Sequence, residues 1–379
     1  MAFNKQENIN THGGDVAGRD IIDNSTRITN MILPPHLNGV CITEDKARLI
    51  CKQEFQQALQ NWSFEAGILV EQRVRKLEDK VFPKMLDYDN KLSIFADPSF
   101  QLLIRKAQIS AACSDREEDL DMLSELILHR VEQNNNRNHR LGITKAIEIV
   151  SDVEQTSLVG LSLVYAILRF SPLTFDIKKG LNVLDSLYAN IINHTELPKG
   201  NDWIQHLDIL SALRINSVQT FNNSKKIACN MLKNYFTIGI DKSLPVYNTM
   251  LEDFSNAELP VNLFVADNPL RENHVRWNTT LDIDAIQLTL NSKNIIIRQN
   301  LTDEQKKVLR KYCDMLTKDG SKDKTMQDTF WKLWQSYPNL KQVSEWWNSI
   351  PLFFEITPIG IALANAYLHT RDAKLPLMY

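Results

Sequence analysis

Apolar positions recur at helical spacing along most of the chain. From Thr43 to about Asp87 they fall at Ala47, Ile50, Phe55, Leu59, Trp62, Ala66, Leu69, Val70, Val74, Leu77, Val81 and Met85, with Glu, Lys, Arg and Gln between them. This spacing predicts an amphipathic helix, either continuous or broken near Asn61 to Gly67, with Thr43 as its N-cap. Asp97-Pro98 sets a cap before a proline at the first helical position and opens a helix through SFQLLIRKAQISAAC. Ser114-Asp115-Arg116-Glu117 has capping-box spacing, which predicts that Ser114 caps a helix reaching Val131 while Glu117 bonds back to it. The two helices read as an antiparallel hairpin. Amphipathic stretches at about 142–151, 155–170, 176–194, 202–214 and 223–236 continue the pattern with no fixed repeat.

After Leu244 the pattern is interrupted by prolines at 245, 260 and 269. DIDAIQLTL and NIIIRQ, separated by Asn291-Ser292-Lys293, then predict a β-hairpin near 280–298. Helix returns at Thr302, where Asp303 and Glu304 suit the positive end of the helix dipole. Trp331, Trp334, Trp346 and Trp347 follow, an aromatic density expected of a core, with an interface or ligand-stacking role as the alternative, and a last helix opens at Thr357-Pro358. The first forty residues differ in character. They are polar and rich in Asn, Thr and Gly, and contain HGGDVAGRDII, His12 to Ile22. Gly14-Asp15 and Gly18-Arg19-Asp20 are turn formers, and Val16, Ile21 and Ile22 offer one apolar face, so a small strand-turn-strand unit is expected. A unit this small is unstable as an isolated hairpin. It docks in its own chain, stacks with other copies or captures a partner, or else it is an unstructured tail.

The fold class that emerges is mainly α: a multi-helix bundle or irregular helical array with a short N-terminal β arm and a small β-hairpin insertion. The expected division is an arm at 1–40, a helical domain at 41–240 and a C-terminal α+β domain at 241–379.

Composition narrows the function classes. The chain has 379 residues, 43% hydrophobic and 23% charged, with a formal net charge of −3. No global field favours a polyanion, so nucleic-acid binding is unsupported. Cys41, Cys51, Cys113, Cys229 and Cys313 are odd in number and scattered, which suits a reducing compartment and buried apolar roles. The N-terminus lacks an apolar signal region, so a cytoplasmic location is expected. Val159 to Phe170 is the most apolar window. It is about half the length that a bilayer needs, and reads as a buried helix.

No catalytic motif stands out. The glycines of the opening segment lack the Lys and the strand-to-helix context of a phosphate loop. His12, His36, His129, His139, His194, His206, His274 and His369 show no recognised metal-ligand spacing, so no metal and no cofactor is expected. Glu117, Glu118, Asp119 and Asp121 crowd a helix start, where the dipole favours them. Arg271, His274, Arg276 and Trp277 form a cationic and aromatic set that reads either as a ligand-binding cluster for a nucleotide or other anion, or as a surface loop with an anchoring tryptophan.

Three stretches carry a resemblance: G-D-x-x-G-R-D (Gly14, Asp15, Gly18, Arg19, Asp20), the FADPSFQ block (Asp97, Pro98, Gln101) and the T-P-I-G ending (Thr357, Pro358, Gly360). In this order they resemble a group of bacterial proteins found sporadically among genomes. More loosely, the helical hairpin and the ending are similar to abortive-infection alpha-type proteins. The resemblance implies a role in defence against phage, as a self-associating sensor, adaptor or non-enzymatic effector. The implied partners are further copies of the chain, a phage protein or a second defence component. No catalytic residues come with it. The arm residues Gly14, Asp15, Val16, Gly18, Arg19, Asp20, Ile21 and Ile22 are the candidate interface. The alternative is a ligand-responsive protein or enzyme with a pocket between the helical body and residues 245–300.

Overall fold

The computed structural model describes residues 41–58, 63–88, 92–133, 136–292 and 295–379. The N-terminal arm and its candidate interface residues lie outside them. Fifteen α-helices and seven short strands are found among the described residues, so the fold is mainly α. Contacts divide the chain into two units, each assembled from separate segments rather than from consecutive halves.

One unit holds residues 41–169, 189–221 and 346–379 of the described chain. The amphipathic stretch from Thr43 is two helices, α1 (Glu44–Ala58) and α2 (Phe64–Tyr88). The N–H of Lys46 bonds to Thr43 Oγ1 as expected of a cap. α3 (Pro98–Cys113) starts as its sequence predicts: Asp97 accepts from the Ser99 N–H at 2.7 Å and Pro98 takes the first turn. Gln101 donates to Phe95 O at 2.8 Å, tying α3 to the 3-10 turn before it. The D-P-x-x-Q motif is thus a helix start with a side-chain brace.

α4 (Glu117–Glu132) departs from expectation at its start. Ser114 makes no capping box with Glu117. It ends α3, and its hydroxyl donates to Asp119 Oδ2 at 2.5 Å, while Glu117 pairs with Lys80 of α2 at 3.0 Å. A buried acceptor in Asp119 and a cation across the helix pair out-compete the local cap.

α5 (Arg137–Ile149), α6 (Gln155–Arg169) and α15 (Pro358–Arg371) complete the centre of this unit, α15 packing on α4, α5 and α6. The apolar window Val159 to Ala166 is buried in α6, and no helix of the described residues is long and apolar enough to cross a membrane. The stretch expected to be helical at 202–214 ends early. α8 (Asp202–Ile209) gives way at Ser211, φ +61°, to β1 (Leu213–Ile215), which pairs antiparallel with β7 (Phe354–Ile356). That pairing fixes the T-P-I-G motif. The Thr357 hydroxyl donates to Ser211 O, its backbone N–H to Ala212 O, and its Oγ1 accepts from the Gly360 N–H as the α15 cap. A Cβ on Gly360 would lie 2.0 Å from Ala212 O, so only glycine fits there.

The other unit holds residues 170–188 and 222–345. Its strands β2 (Ile240–Asp241), β3 (Val265–Asp267) and β4 (His274–Trp277) form an antiparallel sheet with β4 central, too short to be read from sequence. The expected hairpin is present as β5 (Gln287–Ser292) and β6 (Ile295–Asn300). α12 (Asp303–Leu316) opens with a full capping box between Thr302 and Gln305. Met250, Phe254, Phe264, Trp277, Leu309 and Tyr312 lie in this unit's core. Trp334 is buried in the same unit and donates to Ser344 Oγ at 2.7 Å. In the first unit, buried Trp346 donates to Pro198 O at 2.8 Å.

Candidate metal centre

On α4 the sequence E-L-I-L-H places Glu125 and His129 four residues apart, on one helical face. That face turns toward α15, and His369, in the last turn of α15, meets both. His129 Nε2 lies 3.2 Å from His369 Nδ1, and Glu125 Oε2 lies 3.6 Å from each of these nitrogens. All three residues are buried, His129 completely. Among the described residues this is the group of carboxylate and imidazole side chains with metal-ligand proximity.

Each donor is oriented from behind. Lys84 of α2 donates to Glu125 Oε1 at 2.7 Å and to Ser124 Oγ at 2.7 Å, leaving Oε2 for the histidines. Burial alone would raise the Glu125 pKa. The two neighbouring imidazoles, then the charge and hydrogen bond of Lys84, overcome it and hold the carboxyl well below the usual range. His369 Nε2 lies 2.6 Å from Leu375 O. A carbonyl only accepts, so this nitrogen carries the proton, and in the neutral imidazole Nδ1 presents a lone pair to the cluster. His129 Nδ1 lies 3.1 Å from the Tyr379 hydroxyl, and burial pushes that phenol well above its ordinary pKa, keeping it protonated.

The arrangement gathers a carboxylate oxygen, a bare imidazole lone pair and a second imidazole nitrogen with edges of 3.2, 3.6 and 3.6 Å. In a tetrahedral zinc site with bonds of about 2.0–2.1 Å, neighbouring ligand atoms stand about 3.4 Å apart. The three donors therefore span one face of such a tetrahedron. Without an ion, a single shared proton must separate the lone pairs. With one, both histidines keep the outer hydrogen bond that metal-bound imidazoles almost always make. No metal was expected from the sequence. The visible signal was the Glu125–His129 spacing on α4; His369 is joined to it only through the fold.

The sequence-derived set near residue 275 is arranged differently. Alternation on β4 sends His274 and Arg276 to one face and Val275 and Trp277 to the other. Trp277 is a core residue whose Nε1 donates to Thr280 O at 3.0 Å. Arg271 is partly exposed, with Asp323 at 3.9 Å, and His274 Nδ1 lies 2.7 Å from Glu272 O. Arg276 is 2% exposed; its Nη2 donates to Asn234 O at 3.0 Å, whereas Nε and Nη1 have no hydrogen-bond partner among the described residues. Burial, against the opposing influence of Tyr235 and Asp176, lowers its pKa to about 10.

The fold and the site define a mainly α-helical protein with a buried carboxylate and bis-imidazole centre. A protein-family model matches residues 41–377, and the chain belongs to that family, whose description reads only ":-like". Residues 1–40 precede the matched span. The comparison with curated proteins finds no match, and that with solved structures finds none.

Proposed function

We propose that this is a metal-holding helical protein in which Glu125, His129 and His369 bind a divalent transition ion of the zinc class. The spacing of the three donor atoms carries the reading. Imidazole suits zinc, copper, iron and nickel, and a lone carboxylate oxygen with two imidazoles favours these over calcium or magnesium. Burial makes the centre a structural clamp between α4 and α15. The wider role follows the resemblance: a sensor, adaptor or non-enzymatic effector of defence against phage that works through protein contacts, with the N-terminal arm engaging another copy or a partner.

Metal content tests the centre. After incubation with zinc and desalting, the full chain should retain about one zinc per chain, and cobalt(II) should give the intense visible bands of a tetrahedral N/O site. His369→Gln and Glu125→Gln should lose both while keeping helical circular dichroism. No retained zinc and no visible cobalt bands in the wild type would refute the centre. Deleting residues 1–30 tests the wider role: assembly state or protection from phage should change, with helicity intact.

Arg276 supports a second reading. Its two unpartnered nitrogens, Nε and Nη1, suit a small anion or the phosphate of a nucleotide. A thermal shift with phosphate or nucleotides that is lost in Arg276→Met would support it.

A further inference from the structure

Both histidines of the centre are gripped from outside by one short segment. After α15, Asp372–Tyr379 turns back along the helix as a strap. Its Leu375 carbonyl takes the His369 Nε2–H, and its Tyr379 hydroxyl meets His129 Nδ1. The strap has further anchors. The Leu375 side chain is buried. Met378 donates its N–H to Asn365 Oδ1 at 3.2 Å and accepts at its carbonyl from Asn365 Nδ2 at 3.2 Å. Tyr165 Oη also donates to Met378 O, and the Tyr379 ring stacks on His139 at 5.1 Å.

Building on the metal reading, we infer that docking of the strap and occupancy of the centre are one coupled equilibrium, so the strap reports the metal. The coupling follows from the tautomers. An ion on His129 Nε2 confines the ring proton to Nδ1, which makes Tyr379 Oη its acceptor. An ion on His369 Nδ1 confines the other proton to Nε2, facing Leu375 O. Coordination strengthens both N–H groups as donors, so the ion tightens both grips at once. Without it the proton shared within the cluster sits on His129 Nε2, and Nδ1 instead accepts from the Tyr379 hydroxyl. Reciprocity requires the docked strap to raise metal affinity by the factor with which metal favours docking. A released strap exposes Leu375, which is buried when docked, and the half-buried Leu377, Met378 and Tyr379. Loss of metal is thereby converted into an exposed adhesive segment.

Amide hydrogen exchange on the full chain tests this, with zinc and with EDTA. The Leu375 and Met378 amides should exchange at least about ten-fold more slowly with zinc, and Tyr379→Phe should bind zinc about 10–100-fold more weakly, the usual cost of removing an outer partner. Equal exchange in both conditions, in a chain that does bind zinc, overturns the coupling and leaves the metal centre standing. Wild-type affinity in Tyr379→Phe does the same. A wild-type chain that takes up no zinc overturns both.

Discussion

Buried and half-buried carboxylates set the residue-scale energetics, and they do so with opposite signs. Glu125 is surrounded by donors and is held ionised. Glu78 on α2 is not. Burial raises its pKa, the hydrogen bond from Gln108 opposes the rise, and the charge of Asp79 adds to it. A carboxyl whose folded pKa exceeds the unfolded value near 4.5 binds its proton more readily when folded. Its contribution is most favourable below the unfolded value and is lost as pH rises through the folded one. At neutral pH Glu78 is therefore a liability. Glu78→Gln keeps an oxygen to accept from Gln108 Nε2, now 3.2 Å away, and removes the charge. We expect it to raise the melting temperature at pH 7 by about 2 °C, with the gain vanishing below pH 4.5. Thermal melts of both proteins across pH 3.5–8 check the sign, and a gain that grows on acidification would contradict the assignment.

At the scale of elements, helix starts were the most legible feature. Thr43, Asp97-Pro98, Thr302 and Thr357-Pro358 all act as caps or first turns, because each signal is complete within four residues. Ser114 misled because its competitor, Asp119, is a buried acceptor only once α3 and α4 have packed. β2, β3 and β4 run for two to four residues and were invisible, since strands that short leave no alternation to read. The glycine of T-P-I-G looked like part of a helix start; its stronger reason is the Ala212 carbonyl pressed against it. Gly360→Ala would drive a methyl into that backbone and shift α15. We expect a loss of about 3 kcal/mol, the upper range for overpacking. Denaturant unfolding measures it, and zinc affinity should fall in the same variant because His369 rides on the displaced helix. A neutral Gly360→Ala would show that β1 and β7 yield instead.

At the scale of the whole molecule, the centre joins parts of the chain that sequence alone keeps apart. Glu125 and His129 belong to a segment ending at Arg169, and His369 to one beginning at Trp346, yet all three lie in one unit. No spacing rule spans 240 residues, the separation of the two histidines. Helix propensity placed each ligand on a helix, and only the packing of α15 on α4 made them ligands. An ion that binds the folded unit and not the unfolded chain stabilises it by mass action, about 2.7 kcal/mol when free metal is a hundredfold above the dissociation constant. Because the ion bridges the first and last segments of that unit, the gain should appear in the global exchange of amides in α4, α5 and α15. The amides of α12, in the unit that carries no ligand, should be unchanged. Hydrogen exchange with zinc and after chelation distinguishes this from general tightening by counter-ions: equal protection in α4 and α12 would mean that zinc acts on the surface and not between Glu125, His129 and His369.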